Sequence, residues 1–218
     1  MIEVVEEEIQ KQDLDVVKAT KRQLLELKKI CDEIEQHGLP SYLVLKKLPG
    51  ALGHGIFLHP EAKPIPKGRI IGTYSGKVSF CPQSRPGDSV YSFAPISDIR
   101  LSKERQKILD PKSRFHPKRL YSMDIDAEKT GNFIRFVNHS HKPNLVSYLF
   151  TIPKNPYGLS PSPIEVIYLA DKTIRPGEQL LISYEGDDGT YWKHLKIEPV
   201  SITPQTYQLD SDLNIKKI

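Results

Sequence analysis

A chain of 218 residues, 27% charged and 38% hydrophobic, suffices for one core with a small appendage, and its composition excludes wholesale disorder and fibrous architecture. Its net charge of +4 is too small, averaged over the surface, to mark a nucleic-acid binder, so direct nucleic-acid binding is not expected. Two cysteines, Cys31 and Cys81, exclude a cysteine-built zinc site and a disulfide framework; a soluble protein of a reducing compartment is expected, with neither a Sec signal nor a membrane anchor visible behind the acidic opening Glu6-Glu7-Glu8.

Residues 4–36 lack Pro and Gly and end at His37-Gly38-Leu39-Pro40, a helix-stop signal, so one long N-terminal helix is predicted. Within it Val17, Leu24 and Cys31, and likewise Thr20, Leu27 and Ile34, recur at heptad spacing. The seam is too short for a sustained coiled coil and is expected to pack on the protein's own body; a homodimer contact through this helix is the competing reading.

Beyond Pro40 the texture changes to short apolar runs separated by Gly and Pro, which predicts strands at residues 42–45, 55–58 and 69–74. Residues 95–120 interrupt them with Ser97-Asp98-Ile99-Arg100-Leu101-Ser102-Lys103-Glu104-Arg105, then Pro111, and then Arg114-Phe115-His116-Pro117-Lys118-Arg119, read as a short basic helix and loop with a solvated charged face; such insertions also line binding grooves. Further strands are expected at 133–137, 145–150, 165–170 and 179–184, with an exposed Pro-rich loop at 153–163.

Three segments carry chemistry. Leu52-Gly53-His54-Gly55-Ile56-Phe57, followed by Tyr74-Ser75-Gly76, lacks the third glycine and the helix of a dinucleotide fingerprint, so a Rossmann fold is not supported. Asn138-His139-Ser140 follows an apolar run directly and sets an amide, an imidazole and a hydroxyl at a strand end, where ligands are commonly held. His139 and His141 alone fall short of a metal site. The third segment, Gly177-Glu178-Gln179-Leu180-Leu181-Ile182-Ser183-Tyr184, is a turn and a strand ending on a phenol.

In this order the three segments resemble the SET-domain protein-lysine N-methyltransferases over roughly residues 41–186, and the bare architecture resembles the short stand-alone SET proteins of intracellular bacteria. The resemblance implies a mainly β SET fold, small curved sheets around a pseudoknot that brings Asn138 and Tyr184 together. Residues 1–40 then form the N-terminal helix, 41–186 the SET domain with its insertion at about 95–120, and 187–218 a C-terminal segment closing the substrate channel.

The resemblance further implies S-adenosylmethionine as cofactor, S-adenosylhomocysteine as product and no metal. Leu52, His54 and the Gly55 backbone would line the cofactor pocket, and Arg135, Asn138 and His139 would hold the adenosine and the charged amino-acid end. Tyr184 matches the catalytic tyrosine; Tyr91, Ile182 and Trp192 fall along the lysine channel, Ile182 where many relatives carry the Phe or Tyr that governs methyl number. Many relatives have Cys where His141 stands and bind zinc there to close the channel, so Trp192 is the expected wall here. The implied partner is a lysine-containing protein, histone or histone-like, drawn by acids such as Asp187 and Asp188, with no membrane involved. The setting is the bacterial cytoplasm, or a host nucleus for a secreted effector. The competing classes are an inactive SET-like binding module, against which intact Tyr184 and Asn138 argue, and a basic nucleoid-associated protein, which Arg114 and Arg119 motivate.

Overall fold

The computed structural model describes residues 2–83, 89–109, 111, 114–184, 192 and 198–218. The single helix expected over residues 4–36 is two helices separated by a strand. Helix α1 (Ile2–Lys11) stops before Asp13, whose φ of 50° is left-handed. Strand β1 (Val16–Lys18) then pairs in parallel with a later strand, Val16 opposite Leu149. Part of the cause is local: Asp13 and Asp15 compete with the backbone for hydrogen bonds, and Val16-Val17 suits a pleated edge better than a helix.

Helix α2 (Lys21–His37) starts afresh on a capping box in which the Gln23 N–H donates to the Thr20 hydroxyl and the Thr20 N–H to the Gln23 side chain at 2.9 Å. It ends on Gly38, φ 80°, whose N–H reaches the Ile34 carbonyl at 2.8 Å. Leu24, Leu27 and Ile30 are buried against Ile70, Phe150, Ile152 and Ile167, about 1.5–3 kcal/mol of burial for each side chain. The apolar face of α2 is thus covered by the protein's own sheet, whereas Val17, the first member of the heptad seam, sits in β1.

Strands β2 (Leu43–Lys47) and β3 (His54–Leu58) form a hairpin, followed by β4 (Ile70–Thr73), β5 (Lys77–Pro82) and the long β6 (Ser92–Arg100). Helix α3 (Lys103–Leu109), β7 (Leu120–Asp126) and a 3-10 turn at Phe133–Phe136 come next. Then follow β8 (Asn138–His139), β9 (Leu145–Ile152), β10 (Ser162–Ala170), β11 (Leu181–Ile182), β12 (Tyr207–Leu209) and β13 (Ile215–Lys217). They assemble into small sheets: β1-β9-β10-β4, β5-β7-β6, and the pairs β2-β3, β8-β11 and β12-β13. β6 is bent by two register shifts, the second beside Asp98 with φ 58°, as bulges bend strands. Val4 and Val5 of α1 cover one face of its sheet against Ile96, Ile99 and Tyr121.

Two more expectations are corrected. The run 133–137 is the 3-10 turn, because the Asn132 carboxamide oxygen caps the Ile134 N–H at 3.1 Å and Gly131 lies so close to Ala127 that a Cβ would stand 2.6 Å from its carbonyl oxygen. A short apolar run does not reveal its period, and here the cap decides. The insertion begins later than 95: residues up to Arg100 are strand, and the helix spans only Lys103–Leu109.

Gly76 opens β5 against the Asp126 backbone, where an added Cβ would stand 2.3 Å from the carbonyl oxygen. Gly76→Ala is therefore expected to destabilise by about 1–3 kcal/mol, read as a lower urea midpoint with an unchanged slope. Glu165 on β10 is expected to report on pH: burial pushes its carboxyl above the ordinary range, and the Ser162 hydroxyl opposes this only in part. The folded state then holds a proton that the unfolded chain releases. Its contribution is complete below the ordinary carboxylate pKa and declines as pH rises past it. Glu165→Gln should remove that decline, seen as a flatter dependence of thermal midpoint on pH above 4.5.

Candidate active site

The site is built where β8 and β11 run side by side. They pair in parallel, Leu181 opposite Asn138 and Ile182 opposite His139, and the Ser140 N–H continues the ladder to the Ile182 carbonyl at 2.9 Å. Asn144 holds the two segments together. Its buried carboxamide accepts from the Leu181 N–H at 2.8 Å and donates to the Gln179 carbonyl at 2.9 Å. No local preference would bring these stretches together; the bridging amide satisfies backbone groups that neither short strand satisfies alone.

Just past β11, the Tyr184 N–H donates to His139 Nδ1 at 3.0 Å and the Tyr184 hydroxyl to the Val137 carbonyl at 2.6 Å. The phenol and the Asn138-His139 pair, 45 residues apart between His139 and Tyr184, thus share one corner. On the other side Asn138 Nδ2 donates to the His54 carbonyl at 2.7 Å, tying in the β2-β3 hairpin. The three motifs converge.

They surround a cavity of about 630 Å³, within the range of small-molecule sites. Leu52, His54, Arg135, Asn138, His139, Tyr91, Ile182, Tyr184 and Trp192 all line it. Gly55 does not: it lies behind the wall, where a Cβ would stand 2.7 Å from Gln179 Nε2 and 2.8 Å from Leu48 Cδ1, so the residue is glycine to let β3 press on Gln179. Arg135 is held by the Ala127 and Glu128 carbonyls at 3.1 and 3.0 Å, with its guanidinium 4.7 Å above the Phe136 ring.

The walls are largely aromatic. Trp192 stacks on Tyr184 at 5.9 Å and meets His139 edge-on at 4.8 Å. His141 meets the other side of His139 at 4.6 Å, a ring contact, and among the described residues no group of three His, Cys, Asp or Glu could hold a metal. Tyr74, Phe93 and Tyr168 complete the wall, Tyr74 lying 5.8 Å from Phe93 and 6.1 Å from Tyr168. The Tyr74 hydroxyl donates to the Tyr91 carbonyl, and burial raises the Tyr168 phenol above its ordinary pKa. Sequence reasoning missed these rings. Tyr74 was visible in the Tyr-x-Gly motif, but Phe93 and Tyr168 carried no signal, since only strand placement turns them inward.

The C-terminal segment reaches the same cavity. Glu198, Pro199 and Val200 line it, and the buried Ser140 hydroxyl donates to the Ile202 carbonyl at 2.6 Å. Asp187 and Asp188, expected to attract a basic substrate, lie outside the described residues.

A β-rich fold of small sheets with three motifs meeting at a parallel strand pair defines a SET-type domain. The SET domain family model matches residues 55–185, and the chain belongs to the SET-domain family. It is 32% identical over 91 residues to histone-lysine N-methyltransferase SUV39H1 of Xenopus laevis, covering 42% of this chain and 18% of that protein. It is 27% identical over 125 residues to histone-lysine N-methyltransferase SETMAR of Mus musculus, covering 56% and 34%. The chain thus spans about a third or less of these relatives. Among solved structures it is similar to KRYPTONITE in complex with mCHG DNA and SAH, at 23% identity and TM-score 0.43, over 66% of this chain and 23% of that one. No helix among the described residues is long and apolar enough to cross a membrane.

Proposed function

We propose that the protein transfers a methyl group from S-adenosylmethionine to the side-chain amine of a lysine in another protein, a histone or a histone-like protein. The observation that carries this reading is the shared aromatic cavity in which Asn138, His139 and Tyr184 meet. Asn138, His139 and Arg135, with Leu52 and the His54 backbone, would hold the cofactor. The residues fit it: a fixed guanidinium suits a carboxylate, and the Leu52 and Phe136 side chains beside the Asn138 amide suit a purine. Bound there, S-adenosylmethionine supplies a methyl group activated by a sulfonium.

The chain's own contribution is alignment and desolvation. A lysine ammonium must lose its proton before it can attack, which costs about 4.6 kcal/mol at neutral pH from a pKa near 10.4. A channel walled by Tyr74, Phe93, Tyr168, Tyr184 and Trp192 disfavours the ammonium by excluding water, and lowers that cost. Tyr184, its hydroxyl anchored on Val137, orients the amine, and positioning along one axis provides much of the acceleration. Ile182, buried in the wall, would govern how many methyl groups fit, and residues 198–200 with Trp192 would close the channel.

Incubation with labelled S-adenosylmethionine should place label on histones and on a lysine-rich histone-like protein. Cofactor binding without label on any protein of a broad lysate would instead establish an inactive binding module.

A further inference from the structure

The positive charge of this protein is concentrated. Residues 101–120 hold seven lysines and arginines against two acids, which exceeds the +4 of the whole chain and leaves the remainder slightly acidic. Lys103, Lys107, Arg114, His116 and Lys118 are exposed, and so are Ile108 at 75% and Phe115 at 40%. Arg105 belongs to a different face, where it forms a two-pronged ion pair with Glu7 of α1 at 2.6 and 2.9 Å.

The loop is fixed against the helix. Gln106, only 3% exposed, donates to the Leu101 and His116 carbonyls at 3.1 Å and accepts from the His116 N–H at 3.3 Å. One buried amide thus sets the cations of residues 114–118 beside those of α3, in place of a floppy charged tail. Lys103 and Lys107 stand one turn apart, a like-charge arrangement that weakens the helix. Their separation along the axis, about 6 Å, is close to two phosphate steps on one strand of a duplex. The cavity is served by the opposite end of β6, through Ser92, Phe93 and Ala94, up to roughly 20 Å from Arg100.

We infer that the surface of α3 and residues 114–118 docks on the phosphate backbone of duplex DNA. Phosphates complement its cations, and Ile108 and Phe115 offer apolar contact to the sugars. This extends the lysine-transfer reading and rests on it only for its purpose: a lysine-rich protein is repelled by the insertion when free and is brought to it when both sit on DNA.

The test uses the full chain and a fluorescent duplex of about 20 base pairs, followed by anisotropy between 50 and 200 mM salt. Four neutralised phosphates give a slope of log K against log salt near −3.6. Combining Lys103→Gln, Lys107→Gln, Arg114→Gln and Lys118→Gln should weaken binding at least tenfold and remove most of the slope, while labelling of a short free lysine peptide stays unchanged. Because all four side chains are exposed, the fold should persist, verified by an unchanged circular dichroism spectrum. Absence of wild-type binding, equal binding by the variant, or equal competition by polyglutamate would each overturn the inference. DNA binding that survives in a protein unable to label the peptide would support the docking surface and remove only the enzymatic reading.

Discussion

Tyr184→Phe is expected to reduce methyl transfer by about 10²–10³-fold, the usual cost of losing one preorganised polar group at a reacting centre. The substitution deletes a single oxygen. The ring stays stacked on Trp192, the Tyr184 N–H keeps His139 Nδ1, and the cavity walls keep their shape. What disappears is the hydroxyl that Val137 holds at 2.6 Å. Stability should change little, since the lost bond leaves one carbonyl at a cavity with room for water. Cofactor affinity should be near that of the parent, because Asn138, His139 and Arg135 are untouched. Labelled methyl transfer to a lysine peptide, with cofactor affinity by calorimetry, checks both halves. A variant as active as the parent would remove Tyr184 from the chemistry.

Asn144→Ala should be the most damaging single change for stability. Asn144 is 1% exposed, and Gln179 and Leu181, whose backbone groups it satisfies, are both 0% exposed. Alanine strands the Leu181 N–H and the Gln179 carbonyl, each at about 1–3 kcal/mol, so a loss of about 2–5 kcal/mol is expected in urea unfolding. Activity should fall with it even where the protein stays folded, because the same amide sets the register that delivers Tyr184 to His139. Full activity in a folded Asn144→Ala would show that the parallel pair holds without its stitch.

Much of the scaffold was legible. The Gly38 stop, the strands after Pro40 and the strands near 145–150 and 165–170 are legible in local punctuation and periodicity, and the structure places elements there. The misreadings have physical causes as well. Residues 13–19 continue a run without Pro or Gly, and Asp13, Asp15 and Val16-Val17 only weaken a helix there; β1 forms because it also gains a partner strand from residues 149–151 that no window of sequence contains. The run 133–137 resembled strand until the Asn132 cap and the tight packing at Gly131 made it a turn.

The insertion shows the same division for electrostatics. Averaged over the chain, the charge argued against a nucleic-acid partner; the structure leaves Lys103, Lys107, Arg114 and Lys118 exposed and turns Arg105 away to Glu7. Composition reports how much charge there is, and Gln106 decides where part of it points.

By itself the sequence determined the family, because the order of its three motifs is specific, and with it the residues that gather at the site. The tertiary structure alone decided that the Tyr184 N–H meets His139 Nδ1 and that Asn144 stitches the strand pair, that Gly55 lies behind the wall while Tyr74, Phe93 and Tyr168 form it, and that the N-terminal segment is two helices with a strand between them. The reason is range: caps, turns and periodicity act over a few residues, whereas the site rests on backbone groups and rings satisfied by partners tens of residues away.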